Sequence, residues 1–426
     1  MVPHLTTALH GPLLSLEQTM LGAMPVIEHW FRQQWLVHSA PFYASVDLRN
    51  AGFKLAPVDT NLFPAGFNNL NVAFDPLCVQ AAMSAVEKIC PDTRQFLLIP
   101  ENHTRNLKYL ENVATLKSIL QRAGFVVRIG SLIPELTTAQ EVSLPNGQSL
   151  LLEPIQRRGN RLTLGDYDPC AILLNNDLSS GIPTLLKGLS QTLVPPPWAG
   201  WNSRRKSRHF SAYQQVATEF SRLIDIDPWL IDPFFSHANH VDFSKNEGID
   251  ELQHHAAIML DKIRIKYREY HIDQPPFVIA KADAGTYGMG IMTIKDATEL
   301  GQLNRRQRNK MSVIKEGQAV HEVLLQEGVP TFETVAESVA EPVIYLIDHF
   351  VVGGFYRVHT DRGIDENLNA PGAHFVPLAF ETAAMAADSN QKPDAPPNRF
   401  YTYGVVARLA LLAAARELEM MATQYV

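Results

Sequence analysis

The chain is short of cysteine, of excess charge and of long apolar runs, and each shortage closes off a class of protein. Three cysteines, Cys78, Cys90 and Cys170, occur in 426 residues. They form no CxxC pair and no even-numbered framework, which points to free structural thiols in a reducing compartment. Lys plus Arg total 37 against 44 Asp plus Glu, a net charge of −7, so nothing attracts the chain generally to nucleic acid or to an anionic membrane. Any anion site must be local. The first Lys or Arg is Arg32, so the N-terminus lacks the charged region of a secretory signal, and no uninterrupted apolar run is long enough to span a bilayer. A cytoplasmic protein without nucleic-acid or membrane partners is expected; self-association as a homo-oligomer is left open. No repeat and no low-complexity segment is present. The alanine-rich stretch from Val405 to Met421 carries Arg408, Arg416, Glu417 and Glu419, which predicts a packed amphipathic helix in place of an anchor.

What is present is an apolar content of 46% over a length that suggests two or three subdomains. Residues 95 to 130 read as strand, helix, strand: FLLI at 96 to 99, a helical pattern from Asn106 to Ala123, a stop at Gly124, then FVVRI. AILL at 171 to 174 adds a buried strand, so the first portion is expected to be an open α/β sheet. Pro195 to Pro197 mark a break, followed by helical patterns at Ala212–Ile224 and Glu251–Tyr270.

The most informative stretch is FVIAKADAGTYGMGIMTI, Phe277 to Ile294. A strand delivers Lys281 to the foot of a loop holding Gly285, Gly288 and Gly290, and a second strand follows. Glycines let backbone N–H groups approach phosphate oxygens, and the lysine adds a point charge. A Walker loop has its lysine after the glycines and opens a helix, and a protein kinase also has its lysine after the loop, so neither order is met. A hairpin with a glycine-rich turn would show the same loop, and the segments that follow must decide. Val323 to Gln326 is a short strand running into Glu327, Gly328 and Val329. Its exposed backbone, with Gln326, Glu327 and Glu333, is placed to read adenine and ribose between apolar walls. EPVIYLIDHFVVGGFYRVH, 341 to 359, reads as two strands around a bend that brings Asp348 and Arg357 toward one site. The loop after it holds Asp365, Glu366, Asn367 and Asn369, oxygen donors of the kind Mg²⁺ takes beside ATP phosphates. Arg357 and Lys281 are the candidate catalytic charges.

The order of lysine strand, glycine lid, hinge and acidic loop resembles the ATP-grasp carboxylate-amine ligases, such as glutathione synthetase and D-alanine ligase. NLNAPG at 367 to 372 is similar to their Glu-x-Asn-x-x-Pro-Gly-like magnesium segment, with Asn367 in the glutamate place and Asn369 in the asparagine place. Asp365, Glu366 or Asp348 is then the expected charge donor. DLRNAGFKLAPVDTNLFPAGFNNLN, 47 to 71, sets Asp47, Arg49, Lys54, Asp59, Asn61, Asn68 and Asn69 among apolar residues. It reads as an amino-acid pocket in which Arg or Lys grips an α-carboxylate and Asp with Asn grips an α-ammonium. Asx turns and caps would also account for its asparagines. Together with KADAGTYGMGI and ENLNAPG it closely resembles a small bacterial glutamate-cysteine ligase family, over nearly the whole chain. The resemblance implies ATP-dependent joining of glutamate's γ-carboxylate to the amine of cysteine, the first step of glutathione synthesis. The ATP-grasp-like nucleotide motifs, in turn, imply an α/β (α+β) architecture: a pre-ATP-grasp-like substrate-binding domain at 1–200 and an ATP-grasp-like catalytic domain at 201–426. Another amino-acid pair, or a nucleotide-binding protein without catalysis, stays open at this point. The basic cluster Arg204, Arg205, Lys206, Arg208 and His209 could close over a phosphate or a carboxylate.

Overall fold

The computed structural model describes residues 11–92, 94–102, 105–284, 290–312, 320–378 and 400–425. Gly285 and Gly288 lie outside them. The protein is mixed α/β, with three principal sheets among the described residues.

The run from 95 to 175 builds the open sheet. Gln95–Pro100, Val126–Ser131 and Ala171–Asn175 are parallel neighbours. Phe96 to Ile99 and Ala171 to Leu174 are each fully buried. Burial on both faces is why these strands read as continuous apolar runs. Helix Leu107–Arg122 makes the crossover; Asn106 caps it by accepting from the Tyr109 N–H at 3.2 Å, and Gly124, at φ 96°, stops it.

The lysine strand lies in a four-stranded antiparallel sheet ordered Phe235–Ala238, Val323–Glu327, Val278–Ala282, Ile291–Ile294. Facing it is a six-stranded antiparallel sheet. Its central order is Phe350–His359, Ser338–Ile347, Tyr43–Asn50, Leu55–Asn61, so segments from both ends of the sequence meet in it. Alternation sets Asp47 and Arg49 on one face, and the register sets Arg357 directly opposite Glu341. The other face is apolar, with Val46, Leu48, Ile344 and Leu346 buried. Against these strands packs the helix Tyr401–Tyr425. Every residue from Val405 to Ala415 is buried, so the expected amphipathic helix is instead surrounded on all sides. Two of its charges are absorbed internally, Arg408 on Glu28 at 2.7 Å and Glu417 on Arg204 at 2.9 Å, while Arg416 and Glu419 pair nearer the surface with Glu219 and His38. Among the described residues no helix is long and apolar enough to cross a membrane.

Candidate active site

Between the lysine sheet and the polar face of the six-stranded sheet lies a cleft of about 790 Å³. Phe277, Ile279, Ile291 and Val329 make its apolar part, and the loop 365–369 forms a rim. Lys281 lines it, with Nζ donating to the Val58 carbonyl at 2.7 Å. Burial holds the Lys281 ammonium down at about 8 although Asp59 and Asp47 favour the charge; Lys206 and Arg49 oppose it. Asp59 accepts from Lys206 at 2.6 Å. Burial would raise Asp59, but Lys206 and Lys281 outweigh it and bring it to about 2.

Deeper in, four charges alternate along the sheet. Arg49 Nε is 2.5 Å from Glu341, and Arg357 is 2.5 Å from Glu341 and 2.7 Å from Asp47. Burial raises the Glu341 carboxyl, but the two flanking guanidiniums outweigh it and leave it lowered. For Asp47 burial wins, aided by Glu341, and the carboxyl is raised despite Arg357. Arg357 Nε is buried and has no partner among the described residues. The Nε–H is thus a guanidinium donor that neither Asp47 nor Glu341 takes, since both bond Nη1. Glu341 was not singled out from the sequence. A lone glutamate in an apolar strand, in register with an arginine on the next strand, is the signal that points to it.

The expected residues divide. Lys281, Arg357, Asp47, Arg49, Asp59, Gln326, Asp365, Glu366, Asn367 and Asn369 all line this one cleft. Asn61, Asn68 and Asn69 line a neighbouring crevice that shares Asp47, Asp59, Arg357 and Asn369 with it. Gly290 begins the return strand's approach at φ 61°.

Several expectations need correction. Lys54 is fully buried away from any ligand, paired with Glu327 at 2.8 Å, so it is not a substrate grip. Glu327 lines the cleft, but its carboxylate is consumed by Lys54, the Trp229 indole N–H and the Phe234 N–H. Two hinge N–H groups are already taken: Glu327 N donates to Phe234 O and Gly328 N to Phe277 O. Gly328 is needed because a Cβ there would lie 2.1 Å from the Phe277 ring. The Gln326 side chain offers a hinge donor, its buried Nε2 having no partner among the described residues. Glu333 is buried beneath Tyr403 and Tyr356, outside the cleft, and burial pushes its carboxyl up to about 7. Asp348 sits at the hairpin tip, held by Lys88 at 2.6 Å and by Ser84. Seven residues of strand at ~3.3 Å each separate it from Arg357, roughly 20 Å. Arg49 lines the cleft, but its donors are engaged within the protein. Its Nη atoms donate to the carbonyls of Ile364 and Glu366 at 3.1 and 2.7 Å, so it holds the acidic loop in place.

The basic cluster also divides. Arg204 and His209 are buried on Glu417, Arg205 pairs with Glu322, and only Lys206 lines the cleft.

The lining residues fit a divalent cation that arrives with a nucleotide. Arg49, Lys206, Lys281 and Arg357 face Asp47, Asp59, Glu341, Asp365 and Glu366. With most of these cations already engaged by carboxylates, a polyphosphate brings negative charge that the lining leaves largely uncompensated. Asp365, Glu366 and Asn369 supply hard oxygen donors, although Asp365 is paired with Lys295 at 2.5 Å and Glu366 with Arg362 at 2.9 Å. Among the described residues no three His, Cys, Asp or Glu side chains are grouped to hold a metal unaided. A cation here would take its other ligands from phosphates and water.

A family model for glutamate-cysteine ligase matches residues 17–418. A crystal structure from Methylobacillus flagellatus KT, of a protein proposed to be a gamma-glutamylcysteine synthetase, shares 65% identity and a TM-score of 0.90 over 99% of both chains. Two more distant structures were also found. D-alanyl-alanine synthetase A from Vibrio cholerae has 10% identity and a TM-score of 0.36, with 75% and 81% of the chains covered. A glutathione synthetase-like effector from Globodera pallida has 10% identity and a TM-score of 0.35, with 84% and 82% covered. No curated protein matches the chain. The chain belongs to the glutamate-cysteine ligase family.

Proposed function

We propose, from that family membership, that the cleft performs the ATP-dependent ligation of glutamate to cysteine, giving γ-glutamylcysteine, ADP and phosphate. The observation that carries the assignment of residues is that Lys281, Arg357 and the 365–369 loop, far apart in sequence, line one space. A carboxylate is inert to amines, so the γ-carboxylate oxygen first attacks the terminal phosphorus and ADP leaves. The cysteine amine then attacks the acyl carbon, phosphate departs, and the amine's proton passes to solvent.

Each side chain has a part in this. Lys281 grips phosphate oxygens as an ammonium. Phe277, Ile279 and Val329 enclose the base, and Gln326 Nε2 donates to its edge. Arg357, fixed by Asp47 and Glu341, meets the γ-carboxylate and the phosphoryl group as charge passes between them. Its partners keep it rigid, so little reorganisation is needed at the transition state. Mg²⁺, bound through Asp365, Glu366 and Asn369, would supply charge neutralisation at the phosphates. Asp59, Asn61, Asn68 and Asn69 take part in substrate binding. Residues 1–200 act as the substrate-binding part and 201–426 as the nucleotide-binding part, with the strands from 43 to 61 shared by the catalytic sheet.

The test is phosphate release from ATP with glutamate and cysteine, each omitted in turn and cysteine replaced by alanine. Release that needs both substrates, with γ-glutamylcysteine identified by mass, is expected. A cysteine-independent rate driven by alanine would overturn the substrate pair.

A further inference from the structure

The parallel sheet ends in a crevice whose asparagines, Asn61, Asn68 and Asn69, are among the substrate contacts above, but whose strand-end carboxylates have no part in the reaction as written. Its strand Gln95–Pro100 is flanked by Val126–Ser131 on one side and Ala171–Asn175 on the other, so successive connections leave it in opposite directions. In open α/β sheets ligands collect at the carboxyl ends of two such strands. Here those ends continue into Glu101 and into Asn175 to Asp177, which line a crevice of about 1290 Å³. It opens into the phosphate cleft at Arg357.

The crevice is built and rigid. Glu101 accepts from the Asp177 N–H at 2.9 Å, and Asp177 accepts from the Ser179 N–H at 3.0 Å, so each carboxylate is anchored to backbone at the strand ends, and both residues line the crevice. Tyr109 donates to the Asn175 carbonyl at 2.6 Å, and the Asn175 amide donates to Tyr43 and to the Pro64 carbonyl. Two polar atoms wait on a ligand. Among the described residues, Arg357, only 8% exposed, has no partner for its Nε donor, and Asn68 has none for its buried Oδ1 acceptor.

We propose that this crevice holds the amino-acid head of glutamate, with Glu101 and Asp177 around its α-ammonium and the γ-carboxylate directed at Arg357. The inference rests on the ligase reading. Chemistry selects glutamate over cysteine, because neighbouring carboxylates keep an amine protonated and without a nucleophilic lone pair. That would disable the amine that must react, but it suits one that must not. Once the γ-acyl phosphate has formed, a neutral α-amine of the same molecule can attack the γ-carbonyl carbon. A C–N bond forms, the C–O bond to phosphate breaks, and the nitrogen's proton goes to solvent, leaving the five-membered lactam 5-oxoproline. Held as an ammonium, the nitrogen is silent and the acyl group passes to the external amine. Glu101 and Asp177 are thus specificity residues for the donor and for the fate of its activated form.

The experiment compares the full-length protein with Glu101→Gln and Asp177→Asn. Glu101→Gln keeps an acceptor for the Asp177 N–H and decides the matter alone if Asp177→Asn fails to fold. KM is measured for glutamate, cysteine and ATP, and products of glutamate plus ATP without cysteine are identified by mass. The glutamate KM should rise about tenfold or more, with the other two within about twofold. The lactam share of the products should rise. An unchanged glutamate KM, or a rise confined to cysteine, would overturn the proposal. Failure of the ligase reading shows separately, as wild-type protein that releases no phosphate with both amino acids present.

Discussion

Replacing Lys54 by Ala should unfold the protein more readily and leave the chemistry of the remaining folded molecules intact. Lys54 Nζ is 2.8 Å from Glu327 and 2.9 Å from the Asp232 carbonyl, and lies 4.4 Å from the centre of the Trp229 ring. Burial lowers its affinity for the proton, and Glu327 works against that. Truncation leaves Glu327, 1% exposed, with two neutral donors, Trp229 Nε1 at 3.0 Å and Phe234 N at 2.9 Å, and no counter-charge. Breaking such a buried pair costs about 3 to 5 kcal/mol, a large part of the ~5–15 kcal/mol that keeps a typical protein folded. Removing both charges together is a different case. Lys54→Met with Glu327→Gln leaves no orphaned charge, but it keeps one acceptor oxygen for two donors that bond different oxygens of Glu327, Trp229 Nε1 and Phe234 N, so it should recover part of the loss. The assay is a denaturant titration of wild type, single and double variants, with the glutamate and ATP KM values measured where each is folded. An unchanged unfolding midpoint together with a raised glutamate KM for Lys54→Ala would refute the argument and return Lys54 to the substrate pocket.

Two further outcomes follow from the cleft. Lys281 is charged below about pH 8 and neutral above it, so ATP affinity measured by direct titration should decline as pH rises through about 8. Lys281→Arg should remove that decline and Lys281→Ala should abolish turnover without unfolding; a flat affinity up to pH 10 in wild type would remove the ammonium from phosphate binding. By linkage, the folded protein binds fewer protons at this site than the unfolded chain between about 8 and 10.5, so the group adds stability as pH rises across that window. Arg49→Ala releases the carbonyls of Ile364 and Glu366 and should raise the Mg²⁺ concentration for half-maximal rate about tenfold, the equivalent of ~1.4 kcal/mol. If the glutamate KM rises in its place, the side chain contacts substrate after all.

Local pattern and chain order made much of the fold legible. The lysine strand, its return strand and the hinge strand were each visible as short apolar runs, and the crossover helix announced itself by Asn106 and Gly124. Partner choice was not visible. Lys54 and Arg49 sit in the same polar segment, yet Lys54 closes on Glu327 and Arg49 on the loop at 364 to 366, pairings set by strand register more than 270 residues away. Asp348 and Arg357 belong to one hairpin, and the sequence shows the bend but not that hairpin geometry sends its tip away from the cleft. Glu333 follows a hinge and looks like a ribose ligand until Tyr403, from the last helix, covers it. The crevice at Glu101 and Asp177 needed the strand order, which no single segment contains.

The pairing of Tyr43–Asn50 with Ser338–Ile347 has a bearing on how the molecule is made. A ribosome adding ~5–20 residues per second emits the second strand roughly 15 to 60 s after the first. Throughout that interval the Tyr43–Asn61 hairpin is an uncovered edge, and its apolar face waits longer still for the helix at Tyr401–Tyr425. Such distant pairing slows folding and exposes sticky surface. The nascent chain should therefore lean on holding chaperones, and synthesis at lower temperature should raise the soluble yield.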